Sequence, residues 1–89
     1  MTETISISLN LRERNLLLKY GYPFEQLKLQ LDEKRKVKKE TEISADEFEW
    51  NQAVGNIAIT MNEDVDNEML LEELECLASL IEFEIGEKG

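Results

Sequence analysis

The longest regular pattern of apolar positions lies in the last third of the chain, over residues 66–86. Apolar residues recur there at intervals of three and four, the spacing of a helix with one face on a core. This stripe consists of Leu70, Leu71, Leu74, Leu77, Ala78, Ile81 and Ile85. Asp66 is placed to cap the start, and Gly86 is placed where a left-handed residue often ends a helix. We therefore predict a helix of about 30 Å, around which the other elements pack.

A second set of apolar residues lies beside this stripe on the same helix, and we call it the apolar strip. It consists of Met69, Cys76, Leu80 and Phe83. The polar side of the helix carries four glutamates, Glu68, Glu72, Glu75 and Glu82. An apolar sector this wide is expected of the central helix of a small core, the interpretation we favour, or of a helix that also contacts a partner. The strip and the four glutamates together form our candidate interface.

The first twenty residues predict a strand followed by a short helix. Residues 2–9 alternate strictly between polar and apolar side chains, which is typical of a half-buried strand. Asn10 and Glu13 have the spacing of a capping box, in which each side chain accepts a hydrogen bond from the other residue's backbone N–H. A helix that ends near Tyr20 should follow.

A second helix and a second strand are predicted in the middle of the chain. Gly21 suits the residue just past the first helix, and Pro23 suits the first turn of a second helix that continues to about Lys36. Residues 37–43 have no helical period. We expect a loop or an edge strand there, paired with residues 4–9, because neither segment is stable alone.

The third helix is predicted to run from Ser44 to about Asn62. Ser44 and Glu47 have the spacing of a capping box, and a turn at residues 62–67 should end the helix. Its inward side carries Trp50, Ala53, Val54, Ile57, Ala58 and Met61. A different side carries Phe48, Gly55 and Ile59. We expect this side to contact the first or second helix, with the glycine permitting close approach; a binding face is the alternative.

The predicted elements follow the order strand, helix, helix, strand, helix, helix. This order indicates an α+β protein, mainly helical, with four helices and a short two-stranded sheet. The length of 89 residues corresponds to a single acidic domain, residues 1–89. A domain of this size can bury a core without disulfides or metals to hold it.

The charge is distributed very unevenly between the two halves of the chain. Residues 1–39 contain nine basic and five acidic side chains, a net +4, whereas residues 40–89 contain one basic and fifteen acidic side chains, a net −14. The two halves sum to −10. Such an asymmetry influences association and solubility, not the fold. We interpret the basic run at residues 34–39 as a solvated loop.

The composition argues against catalysis and bound cofactors. The chain has no histidine and a single cysteine, which excludes Ser–His and Cys–His nucleophiles, the usual zinc sites and an internal disulfide. The acidic segment 62–68 lacks the central glycine and the spacing of an EF-hand loop. No uncharged stretch is long enough to cross a bilayer, and the first residues do not resemble a signal peptide. We expect a cytoplasmic protein that uses neither a membrane nor a cofactor.

These observations favour a non-enzymatic protein–protein interaction module that binds through its acidic C-terminal half. Such a module would be a small regulator, an adaptor or an antitoxin-like partner. Its partner would be another protein, a basic one being the natural complement, or a second copy of the chain bound through the same apolar strip.

Two other functions remain open. The first is a nucleic-acid mimic, whose carboxylates imitate phosphates and inhibit a basic DNA- or RNA-binding protein. The second is a helix-turn-helix-like DNA binder built from the first two helices and the basic run that follows them. The strongly acidic remainder of the chain disfavours direct nucleic-acid binding, because phosphate contacts depend on a net electrostatic attraction.

Overall fold

The computed structural model describes residues 4–63 and 66–88. The elements are β1 (Thr4–Leu9), α1 (Leu11–Tyr20), α2 (Glu25–Glu33), β2 (Thr41–Asp46), α3 (Glu47–Glu63) and α4 (Glu68–Lys88). The α+β class and the element order are those predicted from the sequence. The described residues share one hydrophobic core. The radius of gyration is 12.2 Å, close to the value of about 12 Å for a compact domain of this length.

The two strands form an antiparallel pair, which joins the segment before α1 to the segment before α3. Thr4 lies opposite Asp46 and Leu9 lies opposite Thr41. The inner face of the pair is buried and consists of Ile5, Ile7, Leu9, Ile43 and Ala45. The predicted pairing is therefore confirmed, although the second strand begins later than residue 37 and extends beyond Ile43 to Asp46.

Side chains of α2 and of Lys34, the residue after it, form hydrogen bonds with the outer edge of β2. The side-chain oxygen of Gln30 accepts a hydrogen bond from the Ser44 N–H at 3.2 Å, and the Lys34 ammonium donates to the Glu42 carbonyl at 2.9 Å. Because an unpaired strand edge exposes backbone groups to other chains, these bonds protect β2 from mispairing.

The central helix is α3, not α4 as the sequence suggested. It packs on α1, α2, α4 and β2, whereas α4 packs mainly on α3 and β1. The indole N–H of buried Trp50 donates to the Ile5 carbonyl at 2.9 Å, which fixes α3 against the sheet. Gly21 and Ala53 permit the end of α1 to approach α3: a Cβ on the glycine would lie 3.4 Å from that of Ala53. The last helix therefore has a side that no element covers.

Two of the predicted helix starts are displaced from their expected positions. The capping box of α1 is as predicted, with Asn10 and Glu13 exchanging two bonds of 2.8 Å. In α3 the box is formed by Asp46 and Glu49, because the segment that includes Ser44 still belongs to β2. In α4 the cap is Asn67, whose side-chain oxygen accepts hydrogen bonds from two N–H groups of the first turn. Asp66 does not have that role.

Gly86 and Gly55 differ from their predicted roles, whereas Gly21 lies just past α1 as predicted. Gly86 lies inside α4, so that helix does not end there. Gly21 is buried and follows α1 with φ −86°, which is not a left-handed conformation. Its lack of a side chain matters for a steric reason, since an added Cβ would lie 2.7 Å from the Leu17 carbonyl oxygen. Gly55 is exposed, and nothing lies within 4 Å of a Cβ built on it. The expected close approach at Gly55 is therefore wrong.

The second side of α3 is only partly covered. Phe48 contacts Phe24 at the start of α2, with ring centroids 6.1 Å apart and rings nearly perpendicular. Phe48 and Ile59 nevertheless remain 56% and 55% exposed. The expected contact with the second helix is thus limited to one aromatic pair.

Two buried charged residues connect elements that are distant in the sequence. Arg14 of α1 donates to the Leu9 carbonyl and to three carbonyls of the loop between α2 and β2. The second helix ends at Glu33, earlier than predicted, and the carbonyl of the next residue, Lys34, accepts from Arg14. Glu49 of α3 accepts from the Leu27 N–H at 2.9 Å and thereby caps α2, whose own N-cap residue makes no side-chain cap bond.

Candidate interaction face on the last helix

The apolar strip of α4 is largely exposed. Met69 is 74% exposed, Phe83 is 63% exposed, and Cys76 is an exposed free thiol. Leu80 differs from them because it is half-buried and packs against the core. Three of the four strip residues are therefore available to a partner, whereas the fourth mainly contributes to stability.

The four candidate glutamates surround this strip with negative charge. Glu68, Glu72, Glu75 and Glu82 are all exposed. In the part of the chain that the structure describes, the ion pairs are Arg12–Glu73 and Lys28–Asp32, so these four carboxylates have no cationic partner. The face of α4 that turns to solvent thus combines apolar surface with unpaired acidic groups.

A groove of about 570 Å³ lies between α1 and α4. It forms because both helices pack on α3 and hardly on one another. Buried Leu16 and Leu77 provide its apolar base. Four of the eight candidate residues line it, namely Met69, Glu72, Glu75 and Cys76.

The other four candidate residues lie outside this groove. Glu68 lines an adjoining shallow depression together with Leu71. Leu80, Glu82 and Phe83 lie further along α4 and extend the exposed face towards the end of the helix. The structure thus places the candidate interface on one helix but concentrates half of it in the groove.

One ion pair spans the groove, and the sequence did not predict it. The Arg12 guanidinium donates to both carboxylate oxygens of Glu73, at 2.7 and 2.8 Å. These side-chain hydrogen bonds are the main reason that the pKa of Glu73 is lowered and that of Arg12 is raised from their ordinary values. The pair joins residues 61 positions apart, and no periodicity of a single sequence relates such positions.

The groove is lined by apolar side chains, carboxylates and one free thiol. Its carboxylates are at the surface of helices, where water solvates them, and its single cysteine has no histidine to activate it. Among residues 4–63 and 66–88, no three potential metal ligands of the His, Cys, Asp and Glu types lie close enough to hold an ion. An apolar base with an acidic border suits the apolar side of a partner whose flanking groups are cationic.

Comparison of the chain with protein-family models, with curated proteins and with solved structures finds no match. None of the helices in the described ranges has the length and apolar character needed to span a bilayer.

Proposed function

We propose that the protein is a non-enzymatic interaction module that binds a basic amphipathic helix of another protein. The observation that carries the proposal is the exposed face of α4, where Met69, Cys76 and Phe83 lie among unpaired glutamates. Large exposed apolar side chains bordered by polar groups are typical of protein interfaces.

The shape of the site supports a helical partner. A groove between two helices is the geometry in which amphipathic helices bind, with apolar anchors at intervals of three or four residues. The groove is about as long as α1, which has ten residues and a length of about 15 Å. This length accommodates two or three turns of a partner helix. Lysine or arginine residues on its flanks would face Glu72 and Glu75.

A synthetic peptide that imitates such a helix provides a direct test of this proposal. The probe is a helical peptide with leucines on one side and lysines on the other, and its control has the same composition in scrambled order. We expect the amphipathic peptide to bind the full chain more tightly than the scrambled one, as measured by titration calorimetry. Equal binding of both peptides would contradict the proposal, because charge alone would then explain the affinity.

A matched pair of variants locates the binding face. The double variant Met69→Gln/Phe83→Gln should weaken peptide binding about tenfold or more. The control Leu29→Gln/Ile59→Gln removes two comparably exposed apolar side chains, 63% and 55% exposed, from other helices and should leave binding unchanged. Loss of binding only in the control variant would place the interface elsewhere.

A nucleic-acid mimic is the second candidate, and the four unpaired glutamates of α4 favour it. A mimic would bind a basic nucleic-acid-binding protein through charge, so binding would fall steeply with salt and would not respond to Met69→Gln/Phe83→Gln. Binding of a basic helix through the apolar anchors would weaken in Met69→Gln/Phe83→Gln and would depend less steeply on salt. The same two variants, measured at low and physiological ionic strength, therefore separate the two functions.

A further inference from the structure

The loop between α2 and β2 has a surface that the proposed interaction does not use. Residues 34–39, which we call the basic loop, carry five of the ten basic side chains of the protein, namely Lys34, Arg35, Lys36, Lys38 and Lys39. All except Lys34 are exposed. The Lys34 ammonium already donates to a carbonyl of β2, which leaves four cationic side chains available in six residues.

Buried Arg14 holds the backbone of the basic loop in one orientation. Its guanidinium, 1% exposed, donates to the carbonyls of Lys34, Val37 and Lys39. In a trans peptide unit the N–H points away from the carbonyl of the same unit, and the described backbone has no cis bonds. The Lys38 N–H, which shares its peptide unit with the Val37 carbonyl, is therefore turned away from Arg14 and towards the exposed side.

Three backbone donors of the basic loop lack an internal acceptor. Within residues 4–63 and 66–88, the N–H groups of Lys36, Lys38 and Lys39 donate to no other group. The outward Lys38 N–H, set among exposed cationic side chains, favours anions at this surface. A fixed backbone also lowers the entropy that binding would cost.

The negative groups near the basic loop do not cancel this preference. The carboxylates that flank it are those of Glu33 and Glu40, whereas nearby Asp32 is paired with Lys28. The C-terminus of α2 would repel an anion through the helix dipole, but the Arg14 guanidinium contacts the carbonyl of Lys34, directly after that helix. Arg14 has no carboxylate partner among its described contacts, so its positive charge adds to that of the basic loop.

We propose that the basic loop is a second binding site, specific for phosphate groups, at which the outward Lys38 N–H and the exposed cationic side chains hold the phosphate oxygens. A phosphate group has three acceptor oxygens and a charge of about −1.5 to −2. It therefore accepts hydrogen bonds from several donors of one short segment at the same time. A carboxylate has one charge and two oxygens. The phosphate belongs to a small polyphosphate or to a nucleic-acid backbone, and the experiment distinguishes these sources.

The test follows the amide resonances of the full chain by NMR while a ligand is added at constant ionic strength. The probes are inorganic tripolyphosphate, a short single-stranded oligonucleotide and a short oligoglutamate peptide. The variant Lys36→Ala/Lys38→Ala removes two exposed cations from the basic loop. Its control, Lys19→Ala/Gln52→Glu, removes one exposed cation from α1, adds one exposed carboxylate to α3 and changes the net charge equally.

We expect tripolyphosphate to shift the Lys36 and Lys38 amides, and Lys36→Ala/Lys38→Ala to weaken its binding about tenfold, whereas the control variant retains it. Tighter binding of the oligonucleotide would identify a nucleic-acid backbone as the source, and weaker binding a small polyphosphate. The proposal is overturned if no phosphate ligand shifts these amides, if both double variants lose affinity equally, or if oligoglutamate binds as tightly as the phosphate ligands.

Discussion

At the scale of single residues, Glu49 has a structural role that its sequence position only partly reveals. Its carboxylate accepts one hydrogen bond from Asp46 in its own capping box and one from Leu27 at the start of α2. One buried side chain thus determines where two helices begin. Burial makes each of these bonds costly to lose, because the unpaired N–H groups would remain away from water.

We expect Glu49→Ala to lower the free energy of unfolding by about 2–3 kcal/mol. Urea denaturation monitored by circular dichroism measures this change. The control is Glu47→Ala, which removes an exposed glutamate from the same helical turn and should change stability by less than about 0.5 kcal/mol. Similar losses in both variants would show that Glu49 acts through the α3 dipole alone and not through α2.

Two glycines should respond to alanine substitution with opposite signs. In Gly21→Ala the new Cβ would lie 2.7 Å from the Leu17 carbonyl and 2.9 Å from that residue's Cδ1, so we expect a loss of about 2 kcal/mol. In Gly55→Ala the Cβ meets nothing within 4 Å, and helix propensity should add about 0.5–1 kcal/mol. Thermal unfolding of both variants tests the pair, and a stabilised Gly21→Ala would contradict the close contact of Gly21 with Leu17 at the end of α1.

At the scale of secondary structure, periodicity predicted most of the fold because burial imposes it directly. The alternation in β1 and the spacing of Trp50 and Ile57 in α3 follow from which side chains lie inside. Periodicity could not predict which helix lies at the centre. The central position of α3 depends on the close approach of Gly21 to Ala53. Such a contact between two elements leaves no periodic pattern in the sequence of either one.

For the candidate interface too, the sequence predicted part of the site and not the rest. The strip and its glutamates lie on one helix, so a helical wheel was sufficient to identify them. The groove was not predictable, because its second wall is α1 and its spanning pair, Arg12–Glu73, joins distant positions. The basic loop was recognised as a charge cluster, but the orientation of its backbone depends on Arg14, whose partners in the loop are carbonyls without any sequence signature.

The start of α4 provides a prediction that distinguishes two neighbouring caps. Asn67 accepts from the Met69 and Leu70 N–H groups at 2.9 and 3.3 Å. We expect Asn67→Ala to cost about 1 kcal/mol in unfolding free energy, and Asp66→Ala to cost clearly less. Denaturant titration of both variants measures the two losses of unfolding free energy. A larger loss for Asp66→Ala than for Asn67→Ala would show that Asp66 is the cap.

The ion pair across the groove makes stability depend on pH in a defined direction. Because the pKa of Glu73 is lower in the folded than in the unfolded chain, the pair stabilises the protein above the unfolded carboxyl pKa of about 4.3. This contribution is lost as the pH falls through the lower, folded value. The raised pKa of Arg12 has no effect in this range, since the group is charged throughout.

We therefore expect Glu73→Gln to destabilise the protein at neutral pH and to match the wild type increasingly well below about pH 4. Denaturant midpoints at several pH values measure the difference between the two proteins. Glu72→Gln, on the same helix but without an ion-pair partner among the described residues, is the control. A difference for Glu73→Gln that stays constant down to acidic pH would show that the pair does not form in solution.

At the scale of the whole molecule, we expect the charge of α4 to influence which partner its apolar strip would accept. In a symmetric dimer formed through this face, Glu68, Glu72, Glu75 and Glu82 of each copy would approach the same residues of the other. Close approach of like charges opposes such a dimer, whereas a basic partner would gain from the same groups. We therefore expect the acidic border to disfavour the second copy that the apolar strip alone would permit.

Neutralising these four glutamates should therefore promote self-association. We expect the wild type to be monomeric at low ionic strength, and the quadruple Glu→Gln variant at positions 68, 72, 75 and 82 to dimerise about tenfold more tightly. A control with Glu→Gln at the exposed positions 25, 42, 47 and 63 changes the net charge by the same four units. Sedimentation equilibrium at two salt concentrations measures both variants. If the wild type dimerises at low salt and dissociates as salt is added, attraction between the copies dominates, and the basic partner is no longer the favoured occupant of α4.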